Sequence, residues 1–179
     1  MIDPRAESSP SDPRSEGLAA DRQRVLILGV GNLLLSDEGF GVHAAQRLER
    51  ESWPPHVRVV EGGTDGFHLM NVITDCDRLI VIDCIKGGGA PGTLYRFDRE
   101  DAPAGRLPAL TSAHQVGMLE VLELQSLIGA VPRTTFIGVE PESIEMGLQL
   151  SPRIAARLPR VGALVRELLG LERDATRDA

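Results

Sequence analysis

The sequence predicts an α/β domain, a three-layer α/β/α sandwich around a twisted, mostly parallel five-stranded sheet. Three observations carry that expectation. Short apolar runs alternate with stretches of helical periodicity. The runs lack interleaved polar residues, as expected for strands covered on both faces. No second linker divides the middle of the chain, so the elements belong to one layered unit.

The elements follow in order. Val25 to Val30 reads VLILGV, a buried strand. Gly39 to Glu51 is predicted as a helix with Val42, Ala45 and Leu48 on one side. Val57 to Val60 is a short strand, and Phe67 to Ile73 a second helix. Leu79 to Ile82 reads LIVI, a third strand apolar throughout, and Thr93 to Phe97 is an edge strand. Val116 to Ile128 is a long helix, and Thr134 to Val139 the fifth strand. In the last helix Ile154, Leu158, Val161, Val165 and Leu168 recur at spacings of four and three. Ser151-Pro152 before it supplies an N-cap and a first-turn proline.

Residues 1–23 are rich in Ser, Pro and charge without apolar periodicity, and read as a disordered leader. Residues 172–179 read as a disordered tail, leaving 24–171 as the single α/β domain. A chain of 179 residues with 42% hydrophobic content buries roughly 70% of its unfolded surface, so neither disulfide nor structural metal is needed. The net charge of −7 supplies no basic field for nucleic acid. Lys86 is the one lysine, so no polybasic membrane patch exists. No run reaches the roughly 18 apolar residues of a membrane span, and no secretion signal is legible. Cys76 and Cys84 match no zinc or redox motif and read as reduced thiols in a cytoplasmic protein.

In sheets of this kind ligands sit beyond the carboxyl ends of the strands. The first strand runs into Gly29-Val30-Gly31-Asn32 and on to Ser36-Asp37-Glu38-Gly39. This starts like a dinucleotide fingerprint, but Leu34 stands where the third glycine would fall. Ser36 and Asp37 suit a helix cap; Glu38 lies one residue too far in for that. Glu61-Gly62-Gly63-Thr64 after the second strand suits either a substrate loop or a tight turn. Asp83 closes the third strand, where a carboxylate is costly unless it is paired, hydrogen-bonded or metal-bound. It suits either chemistry or a cap for the Lys86-Gly87-Gly88-Gly89 loop. His114 falls in the first turn of a helix opened by Ser112, a setting that favours a neutral, metal-ligating imidazole, though a packing role is open too. His43, His56 and His68 read as structural. Glu38, Asp83 and His114 thus fall on three connections expected at one sheet edge. Two carboxylates and an imidazole there make a weak, open site for a divalent transition metal.

These blocks occur together with Ala113-His114-Gln115-Val116-Gly117, Gly138-Val139-Glu140-Pro141 and Leu150-Ser151-Pro152. In that order, over roughly residues 24–170, the chain closely resembles the nickel–iron hydrogenase maturation proteases. The resemblance implies a helix-sandwiched twisted sheet of phosphorylase/hydrolase type. It implies a monomeric, cytoplasmic endopeptidase that removes a C-terminal extension from the hydrogenase large-subunit precursor after nickel insertion. Nickel would arrive held by the precursor, only weakly contacted by the protease through Glu38, Asp83 and His114. The same three residues would serve catalysis, with metal-activated water or a carboxylate base such as Asp83 as alternatives. Glu61 departs from the family pattern, where many relatives carry aspartate before Gly-Gly-Thr.

Overall fold

In a computed structural model of the chain, residues 23–64, 72–101, 122–123, 126–127 and 131–171 are described. The expected leader and tail, the helix at Phe67, the opening of the long helix and His114 therefore lie outside the described residues, apart from positions at their margins.

Five strands form one sheet: β1 Val25–Val30, β2 Val57–Gly63, β3 Arg78–Cys84, β4 Leu94–Asp98 and β5 Arg133–Val139. Their order is β2-β1-β3-β5-β4. All neighbours run parallel except β4, which pairs antiparallel with β5 at the edge. The apolar runs explain the centre. β1 is buried along its whole length, and its side chains divide between two cores. Val25 and Ile27 face one side with Ile80, Ile82, Ile137 and Val139. Leu26, Leu28 and Val30 face the other with Leu79, Val81 and Phe136. This period-two division is why the strands read as uninterrupted apolar sequence.

Helix α1 Phe40–Leu48 and helix α3 Leu158–Leu168 cover the first face through Phe40, Ala44, Leu48, Val161 and Val165. Ile73 and Leu122 cover the second. At the β4 edge, Phe97 and Phe136 lie opposite each other in register and stack with centroids 5.1 Å apart.

Two helical expectations are corrected. The first helix starts as a 3-10 turn, Ser36–Gly39, before α1. The last one is broken into α2 Pro152–Ala155 and α3. Pro159 lacks the N–H that Ala155 would need as a partner, and its ring crowds that carbonyl, so the helix restarts with Pro159 in its first turn.

Glycine sets how close α1 comes to the sheet. A Cβ on Gly41 would fall inside contact distance of the Ile82 and Val30 carbonyl oxygens, which are backbone and cannot yield. Gly41 thus allows the start of α1 to rest on the ends of β1 and β3. Gly41→Ala is expected to lose about 3 kcal/mol or more, read from a denaturant midpoint, because the helix must lift off both strands.

Candidate active site at the carboxyl edge of the sheet

The chain goes from β1 outward to β2 and returns to the other side of β1 as β3. The order reverses there, so the crevice beyond β1 and β3 is where an open sheet holds its ligand. Glu38 follows β1 and Asp83 is the last residue but one of β3, so both expected carboxylates stand at this edge.

The loop after β1 is shaped by backbone hydrogen bonds. Gly31, at φ 145°, donates to Gly63 O at 3.0 Å, and Asn32 N donates to Glu38 O at 3.2 Å. The Asn32 side chain accepts from Leu34 N at 2.9 Å, turning the chain. The 3-10 turn then carries Asp37 inward and leaves Glu38 partly exposed. Asp83 is fully buried, with one oxygen 2.7 Å from its neighbour's donor, Cys84 N. Of the two expected carboxylates, Glu38 is thus the partly exposed one and Asp83 the fully buried one. Burial pushes the Cys84 thiol up, and the negative charges of Asp83, Glu38 and Asp37 push it further. Three carboxylates thus act on one buried free thiol, which stays protonated.

Asp37 is not the helix cap that its position suggests. No side-chain cap bond forms at either the 3-10 turn or α1. Its carboxylate is fully buried and accepts from Glu142 N (2.9 Å), Ser143 N (2.8 Å), Ser151 N (2.7 Å) and Ser151 Oγ (2.9 Å). Ser151 does stand at the N-cap of α2, its carbonyl accepting from Ala155 N at 2.9 Å, but its hydroxyl donates to Asp37 and makes no cap bond. Asp37 therefore locks the turn bearing Glu38 to the segment after β5.

Glu140, just past β5, has a structural role that its place in the Gly138-Val139-Glu140-Pro141 block does not reveal. It accepts from Tyr95 Oη at 2.6 Å, Gly87 N at 2.7 Å and Gly89 N at 3.2 Å, so it clamps the glycine loop after β3, one of the roles open to Asp83 in the sequence. Burial opposes its charge, but those donors outweigh burial and hold Glu140 below the usual carboxylate range. The clamp's stability is thus fully present above the unfolded carboxylate value, near ~4.3, and is lost as pH falls through the lower folded value. Tyr95→Phe is expected to lower stability by about 1–2 kcal/mol at neutral pH, with the gap to wild type closing below about pH 4 in acid titrations followed by circular dichroism.

Of the other residues that the sequence singles out, Glu61 is exposed and accepts from Gln46 Nε2 at 3.2 Å, beside α1. His43 sits on α1 with its Nε2 buried and without a hydrogen-bond partner. Cys76 and Cys84 are both free, as expected. Among the described residues no three His, Cys, Asp or Glu side chains are grouped to hold a metal; His114, the third expected ligand, is outside them. The connection that contains His114 begins and ends at the opposite edge, because antiparallel β4 finishes where β5 starts.

Residues 42–167 match the hydrogenase maturation protease family. The chain belongs to that family. It is 37% identical to the hydrogenase expression/formation protein HupD of Rhodobacter capsulatus, over 88% of this chain and 77% of that protein. It is 42% identical to HoxM of Azotobacter vinelandii over 75% of this chain, spanning 66% of that relative's length. Its fold superposes on the hydrogenase maturating endopeptidase HybD from E. coli with a TM-score of 0.75 and 35% identity, covering 82% of this chain and 92% of that one. A maturation protease is a peptide hydrolase. Among the described residues no helix is long and apolar enough to cross a membrane.

Proposed function

We propose that this maturation protease makes one cut in a nickel–iron hydrogenase large-subunit precursor, removing its C-terminal extension once nickel has been inserted. The observation that carries the reading is Glu38 and Asp83 at the β1/β3 switch point, in a chain of this family. Nickel belongs to the substrate and arrives held by precursor thiolates. Those soft ligands retain it, while two carboxylates and the His114 imidazole add contact without extracting it. Such a set tests for the metal and orients the adjoining peptide. A carboxylate takes the proton of an attacking water in this reading: Asp83, or Glu38, whose partial exposure favours it over the fully buried Asp83. The protease works in the cytoplasm as a monomer.

The test is to mix the protein with nickel-loaded and with nickel-free precursor and to measure C-terminal mass loss. Only the loaded precursor should shorten. Equal shortening of both would refute nickel recognition, and shortening of neither by a folded protein would refute the endopeptidase reading.

A further inference from the structure

Beside the candidate site, four large apolar side chains stand exposed at one place. Leu34 is 61% exposed, Ile144 39%, Met146 88% and Leu148 68%. Leu34 lies on the loop after β1, and the other three lie on the segment between β5 and α2. The two segments form one surface. Ser36 N donates to Gly147 O at 2.8 Å, and Gly147 N donates to Leu34 O at 3.0 Å, around a parallel bridge between Leu35 and Gly147. Ser36 Oγ adds a bond to Glu145 O at 2.9 Å.

This surface is held rigidly. Ser36 keeps φ at 47°, a strained value for a residue with a side chain, and Asp37 fastens both segments from beneath. A Cβ on Gly147 would come 2.6 Å from Ser36 Oγ, so glycine there leaves room for the hydroxyl that bonds Glu145 O. Folding alone gains nothing from apolar side chains left in water. Large apolar side chains exposed together beside a site are often functional rather than incidental. Leu127 is the other large apolar side chain exposed among the described residues, and it lies on neither segment.

We propose that this patch is the docking surface for the precursor protein itself. Its partner is an apolar surface next to the scissile segment, flanked by a basic side chain. Two facts name that occupant. Leu34 and Glu38 share one loop, so a chain whose scissile bond reaches Glu38 lies across the patch. The patch also carries an exposed acidic group, Glu145, beside Glu142, which lies 4.0 Å from Arg153 Nε. The inference rests on the endopeptidase reading above and adds that recognition extends beyond the cut segment and its metal.

The test is the triple variant Leu34→Ser, Met146→Ser, Leu148→Ser, with Leu127→Ser as control. The precursor is supplied nickel-loaded, and binding by calorimetry is measured beside cleavage. The triple variant should lose about tenfold or more in kcat/KM, mainly through KM, with a matching loss of affinity and an unchanged thermal midpoint. The control should behave as wild type. Wild-type kcat/KM and affinity in the triple variant would overturn the docking surface, including where the patch instead mediates a concentration-dependent dimer of this chain. A wild-type protein that binds precursor through the patch but never cuts it would overturn the endopeptidase reading alone.

Discussion

Replacing Glu38 with glutamine, or Asp83 with asparagine, is expected to slow precursor cleavage by at least about a hundredfold, the usual contribution of a positioned acid–base group. Changing Glu38, Asp83 and His114 together to alanine should abolish it. The amide variants are the sharper instrument. Asparagine at 83 keeps the volume of a fully buried side chain and keeps an oxygen for Cys84 N, which now donates to Asp83 at 2.7 Å. It removes the charge and turns the second oxygen into an NH2 donor. Glutamine at 38 changes a partly exposed group on a turn whose shape is set by backbone bonds, Asn32 N to Glu38 O and Glu38 N to Leu35 O. Both variants should therefore fold. Cleavage is read as C-terminal mass loss of loaded precursor, and folding as a thermal midpoint within a few degrees of wild type. A triple variant that still processed the precursor in cells would remove all three residues from the chemistry. Wild-type rates from Asp83→Asn alone, with Glu38→Gln inactive, would leave Glu38 as the sole acting carboxylate.

The sheet was legible in the sequence because burial on both faces leaves a local trace. VLILGV and LIVI contain no polar residue to mark a solvent side, and the two-sided cores around Ile27 and Leu28 are the reason. The same burial makes Asp83 conspicuous, a carboxylate closing such a run; Glu38 stands out in the sequence only because it lies one residue too far in for a simple helix cap. Asp37 was not legible. Its partners lie 105, 106 and 114 residues away, and nothing local distinguishes a buried carboxylate clamp from a helix cap. Ser151 does stand at the N-cap of α2 with Pro152 in its first turn, as Ser-Pro before a periodic run signals, but tertiary bonding takes its hydroxyl to Asp37. The reversed direction of β4 leaves no local mark either, since one edge strand reads the same in both directions. The break before α3 did have a signal in Pro159, which the spacing of Ile154, Leu158 and Val161 masked.

Asp37→Ala is expected to be the most destabilising single change at this edge, by about 3–5 kcal/mol. The variant strands three N–H donors, from Glu142, Ser143 and Ser151, together with the Ser151 hydroxyl. An unsatisfied buried donor costs roughly 1–3 kcal/mol, and water entering from the exposed side of the segment keeps the total below the full sum. Asp37→Asn should lie between alanine and wild type, because its remaining oxygen serves some donors while its NH2 opposes the others. The loss should reach function as well. With the clamp gone, the strained φ of Ser36 has less to hold it, and the turn carrying Glu38 separates from the segment of Gly147. Hydrogen exchange at the Ser36, Gly147 and Ser151 amides should accelerate at denaturant concentrations where β1 and β3 stay protected. A double-mutant cycle with Ser151→Ala isolates the link. Because the Ser151 hydroxyl donates to the Asp37 carboxylate, the two substitutions should fall short of additivity by about 1 kcal/mol. A coupling near zero, or unchanged exchange at Gly147, would mean that Asp37 does not join the two segments.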